Sequence, residues 1–240
     1  MEIFQTVARA LHIAFGVAAL ITGLLAIIAP KGQKLHTRGG IVYVWSMTGV
    51  AITALLMSLM KPELMRFFVP LSFFTLQLTL SGWRALERKK LHFGTASPIA
   101  RVDWGIAIVS LLSGITFTGF GGIRLWEGEQ MGIVSIIFGV ISIVFAMRDI
   151  RRFHVIQAGK VPQMEWFFAH MTLMLGAYIA TITAVLVVNF TFLPHLAVWL
   201  GPTFVGTFII RGWRMYYAKK FRLGTKNIPT TKAASKLLLQ

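Results

Sequence analysis

The sequence predicts an all-α polytopic membrane protein, a bundle of seven transmembrane helices, and three observations predict it. Hydrophobic residues make up 56% of the 240 and charged residues only 13%, which lies outside the range of soluble domains. Seven apolar runs, at 4–29, 40–60, 67–83, 102–123, 131–147, 166–190 and 196–213, are each about long enough to cross a ~30 Å hydrocarbon core as a helix. Charge is also sorted between alternate gaps. Segments 30–39, 84–103, 148–165 and 211–240 hold 20 of the 24 Lys and Arg, leaving only Arg9, Lys61, Arg66 and Arg124 elsewhere. The eight acids divide evenly, so one side carries net +16 and the other about zero. The positive-inside rule then places the N-terminus outside and the C-terminus in the cytoplasm.

The first run starts almost at Met1 and exceeds the apolar stretch of a typical leader, so it is expected to be a span. Pro30-Lys31-Gly32 is expected to stop that helix, Lys61-Pro62 the second, and Gly121-Gly122 the fourth. Trp83, Trp104, Trp166 and Trp213, with Tyr216 and Tyr217, form a cytoplasmic aromatic belt, while Trp126 marks the outer face. No span is expected to be broken by a proline. Gaps 61–66, 124–130 and 190–195 are short, which predicts tight outer hairpins from helices 2–3, 4–5 and 6–7.

Those hairpins read as copies of one unit. Gly49, Gly114 and Gly176 are spaced by 65 and 62 residues, and Arg84, Arg148 and Arg214 by 64 and 66. A period near 64 at both ends of the unit predicts one helix followed by three repeated two-helix hairpins in parallel. The expected organisation is a seven-helix domain over 1–224 and a basic cytoplasmic tail over 225–240. Its basic side is expected to meet anionic lipid headgroups. The pI near 11 is therefore read as topogenic charge and not as nucleic-acid binding.

Chemistry must come from few groups. The chain has no cysteine, which excludes disulfides and thiolate sites, and no nucleophile motif, phosphate loop or paired intramembrane carboxylates. Ionisable residues at membrane depth are costly and become the candidates. His12, Gly16, Ala19 and Gly23 fall on one helix face, so a flat cofactor or another backbone could approach beneath an imidazole. His170, with Tyr178 two turns on, lies inside the opposite boundary, and His195 opens helix 7 on the outer side. Depth allows His12 to pair with His195, and His170 with His36, His92 or His154. The same His36, His92 and His154 could converge as a metal site near Arg38, Arg101, Asp103 and Glu165. Neighbouring Lys and Arg would oppose a cation there.

The run from Lys31 to Val44, after His12 and Gly16, resembles the opening of an uncharacterised family of bacterial multi-pass membrane proteins. Its pattern is a helix-1 histidine followed by Lys31-Gly32…Leu35-His36…Gly40…Tyr43; Glu165-Trp166…His170…Gly176-Ala177-Tyr178 adds to the likeness. Thr37 separates His36 from Arg38, where the family pattern often reads His-Arg. The resemblance implies a bacterial inner-membrane protein and brings no established activity. The expectation from the residues is a small redox-type protein holding a haem b or meeting a quinone. The competing expectation is a non-enzymatic subunit or small-molecule and lipid carrier with an apolar cavity.

Overall fold

A computed structural model describes residues 2–93, 99–161 and 163–221; the tail 225–240 and the side chain of His92 lie outside the described residues. The described chain forms seven α-helices and no strand: α1 Glu2–Ile28, α2 Lys34–Leu59, α3 Pro62–Arg84, α4 Arg101–Trp126, α5 Met131–Gln157, α6 Glu165–Asn189 and α7 His195–Lys220. A 3-10 segment, Ala85–Phe93, follows α3.

Six of these helices are long and apolar enough to cross a membrane; α3 is not among them. Its position explains why. α3 packs against α2, α4, α5 and α6, while α1 touches α2 and α6, and α7 touches α6 and α5. A central helix needs no apolar belt, so α3 can bury Ser72, Gln77, Thr79 and Ser81 beside Phe67, Phe74 and Leu78. The peripheral α1 shows the opposite pattern. Ile3, Phe4, Ile13 and Val17 are all more than half exposed, which suits contact with hydrocarbon.

The helices outrun their apolar stretches at the basic end, with α5 reaching Gln157 and α7 reaching Lys220. Hydropathy reports depth in a membrane; backbone hydrogen bonding continues past it. Pro62 does open α3, and Pro70 and Pro202 sit inside α3 and α7 without ending them. The stop expected at Gly121-Gly122 is corrected, because α4 runs on to Trp126. Gly121 instead admits a neighbour: a Cβ there would lie 2.7 Å from the carbonyl oxygen of Gly132 on α5. Close backbone approach at small residues is the usual device for packing helices in lipid. Ion-paired Arg124 and Glu129 flank the α4–α5 turn.

At the heart of the bundle, Ser142 Oγ lies 3.1 Å from both Gln77 Oε1 and Ser110 O. Gln77 is fully buried, and its Nε2 has no hydrogen-bond partner among the described residues. Ser142 carries one hydroxyl proton, so it can donate to only one of its two neighbours. The glycines of the expected repeat meet different surroundings. Gly49 faces Phe15 of α1, Gly114 faces Gly139 of α5, and Gly176 faces Leu78 of α3.

Candidate functional site

Three histidines are held in the same way. His12 Nδ1 lies 3.1 Å from Val50 O and 2.9 Å from Thr53 Oγ1 on α2. His36 Nδ1 lies 2.8 Å from Ala26 O on α1, and His170 Nδ1 lies 2.9 Å from Gly82 O on α3. A carbonyl oxygen only accepts, so each ring donates its Nδ1–H and, when neutral, keeps a lone pair at Nε2. The three rings therefore join α1 to α2 at both ends and α6 to α3.

The structure brings His36 and His170 together, with ring centres 6.4 Å apart and planes at 80°. Tyr178 lies further along α6, its hydroxyl donating to Leu20 O at 3.2 Å and its ring tilted against Tyr43 at 6.2 Å. A Cβ on Gly23 would lie 2.6 Å from the Tyr178 ring, so that part of the small-residue stripe seats a tyrosine. Nothing lies within 4 Å of a Cβ at Gly16. His154 is exposed and packs on Trp104 at 5.1 Å, and among the described residues no ring contact joins it to His36 or His170. His195 is exposed, and among the described residues no hydrogen bond or ring contact joins it to His12. No group of three metal-ligating side chains is assembled among the described residues.

The basic end is closed by ion pairs. Arg88, 5% exposed, donates to both oxygens of Glu165, at 3.0 and 3.3 Å. Arg152 joins Glu165 at 2.6 Å and Asp149 at 2.5 Å. Beside them Arg84 grips Asp103 in a bidentate pair at 2.7 and 2.8 Å, and Asp103 also accepts the Ala100 N–H. Asp103 and Glu165 stand out in the sequence as boundary carboxylates, but the choice of arginine partners is set by folding. The network ties the 3-10 segment to α5 and α6, and α3 to α4. Its arrangement is that of a structural clasp, with all three guanidinium groups spent on carboxylates.

The open volume lies elsewhere. A cavity of about 480 Å³ runs along 68–78 of α3, 138–148 of α5, 176–188 of α6 and 199–210 of α7, from His12 at one end to Arg148 at the other. Ten or more residues per helix give it a length of roughly 15–18 Å at 1.5 Å per residue. Four of its five hydroxyl groups are turned back on their own helices: Ser72 donates to Phe68 O, Thr75 to Ser72 O, Thr183 to Ile179 O and Thr207 to Thr203 O, with Thr203 the fifth. The wall presented to a ligand is thus nearly all apolar. Val140 and Val144 both line the cavity and are exposed, so it opens sideways between α5 and α7.

A second cavity, about 210 Å³, adjoins the first and shares His12, Ala54 and Phe68 with it. Gln5, Arg9, Met57, Ser58 and Lys61 complete its lining. Both volumes and their junction at His12 escape sequence reasoning, because a cavity depends on which side chains fail to meet. One signal was present: Arg9 and Lys61 are two of only four basic residues outside the basic segments. No family model, no curated protein and no solved structure matches this chain.

Proposed function

We propose that the chain is a seven-span protein of a bacterial inner membrane that binds an amphiphilic small molecule between its helices. The N-terminus lies outside and the basic end in the cytoplasm against anionic headgroups. The three hairpins arose by duplication, with α3 spanning among α2, α4, α5 and α6. The observation that carries the ligand reading is the lateral apolar cavity of about 480 Å³ ending at His12. That volume falls within the ~300–1,000 Å³ typical of ligand sites. The surrounding residues offer binding and no covalent chemistry, so the activity is that of a carrier or a ligand-holding subunit.

Native mass spectrometry of protein released from mild detergent tests the reading. One bound amphiphile per chain is expected; a bare chain in every charge state contradicts it. Topology is tested separately on single-cysteine variants of this cysteine-free chain. An impermeant maleimide added to intact spheroplasts should label Gln130→Cys and spare Lys160→Cys.

A redox reading is supported by one specific observation, the His36–His170 pair. Both rings are oriented through Nδ1 by backbone carbonyls, the support that metal-bound imidazoles usually have. Two imidazoles on opposite sides of one metal, at ~2.0–2.1 Å per bond, would have ring centres roughly 6–6.5 Å apart. Lys31 shares Ala26 O with His36, at 3.1 Å, which weighs against a bare cation and suits a group bearing its own carboxylates, such as haem. A Soret band lost in His36→Ala and His170→Ala would support this reading, and a flat visible spectrum would remove it.

A further inference from the structure

The two adjoining cavities differ in chemistry, and their order along the bundle defines a ligand. The long cavity is apolar throughout its middle, while the short one gathers Arg9, Lys61, Gln5 and the ring of His12. Gln5, Arg9, His12 and Gly16 recur at spacings of four, three and four on α1, so one helix face supplies most of the polar wall. Lys61 reaches it from the α2–α3 turn. Among the described side chains no carboxylate pairs with Arg9 or Lys61, whereas Arg84, Arg88 and Arg152 at the far end are all paired. His12, whose Nδ1–H is given to Val50 O on α2, offers a lone pair at Nε2 when neutral and a donor there when protonated.

We propose that the two cavities form one site for a single-chain amphiphile with an anionic head, its tail between α3, α5, α6 and α7 and its head between Arg9 and Lys61. Two exposed cations at the polar end of an apolar cavity favour a carboxylate or phosphate over a neutral head. The tail enters through the gap between α5 and α7. This also accounts for basic residues on the side of the protein that otherwise carries few. The inference rests on the ligand-holding reading above and adds the charge of the head.

The full-length protein in phosphatidylcholine nanodiscs is titrated with oleate, with oleoyl lysophosphatidate and with oleyl alcohol, and bound ligand is counted by native mass spectrometry. Oleate or lysophosphatidate should bind at least tenfold more tightly than the alcohol, and which acid wins distinguishes a carboxylate from a phosphate head. Arg9→Gln/Lys61→Gln should bring both acids down to the affinity of the alcohol and leave the alcohol unchanged. Raising salt from low to molar concentration should shrink the preference in the wild-type protein, a readout that needs no variant. Equal binding of acids and alcohol overturns the anionic head and leaves the apolar site standing, as does an unchanged preference in the double variant. Failure of all three probes to bind overturns both.

Discussion

The two ends of the bundle carry opposite solutions to the same problem, the placing of charge beside an apolar interior. At the basic end Arg84, Arg88 and Arg152 are each paired with Asp103, Glu165 or Asp149. At the other end Arg9 and Lys61 border a cavity that leads through His12 into the apolar core. Charge compensated within the protein holds helices together; charge left facing a hollow is available to something else. The difference separates clasp from site more sharply than the number of charges does, since the basic end has far more of them.

The largest expected effect breaks the clasp. Glu165→Gln leaves Arg88 and Arg152 facing each other in a nearly closed site, and removing one partner of a buried pair costs about 3–5 kcal/mol. Thermal unfolding in detergent should show a large drop in Tm or failure to accumulate. Arg9→Gln/Lys61→Gln should stay within about 0.5 kcal/mol of wild type, as expected for exposed side chains with no ion-pair partner among the described residues. A comparable loss of stability at both ends would erase the contrast.

Glycines sharpen it at a smaller scale. Gly121→Val drives a side chain into the Gly132 carbonyl, and overpacking of this kind costs about 1–3 kcal/mol. Gly16→Ala on the cavity-bearing helix meets nothing within 4 Å and should be neutral or stabilise by up to ~1 kcal/mol through helix propensity. The two variants compared by thermal unfolding should therefore move in different directions or differ by at least 1 kcal/mol.

A small effect is also expected midway between the ends. Gln77→Leu removes a buried amide whose nitrogen has no partner among the described residues, while Ser142 can still donate to Ser110 O. Loss of an unsatisfied polar group should change stability by no more than about 1 kcal/mol, in either direction. A loss of several kcal/mol would mean that the amide holds α3 to its neighbours after all.

The helices were legible in the sequence because hydropathy and charge are local properties. What was not legible follows from assembly. The polar sequence of α3, with Gln77, Thr79 and Ser81, announces a helix of lower hydropathy, and only the packing reveals that it is the central one. Gly121-Gly122 reads as a stop when the chain is considered alone and as a contact once α5 is beside it. Depth allows His36 and His170 to pair, and the structure brings them within 6.4 Å. His12 was visible as a membrane histidine, but its place at the junction of two cavities depends on five helices leaving space.

Occupancy of that space is the most direct measurement. Ala180 lines the long cavity on α6, and Ala180→Trp would fill part of it without touching Arg9, Lys61 or the clasp. Native mass spectrometry of wild-type and Ala180→Trp protein, purified side by side, should show one amphiphile per wild-type chain and little or none on the variant, with Tm preserved. Equal occupancy of the two proteins, or no ligand on either, would contradict an amphiphile held between the helices.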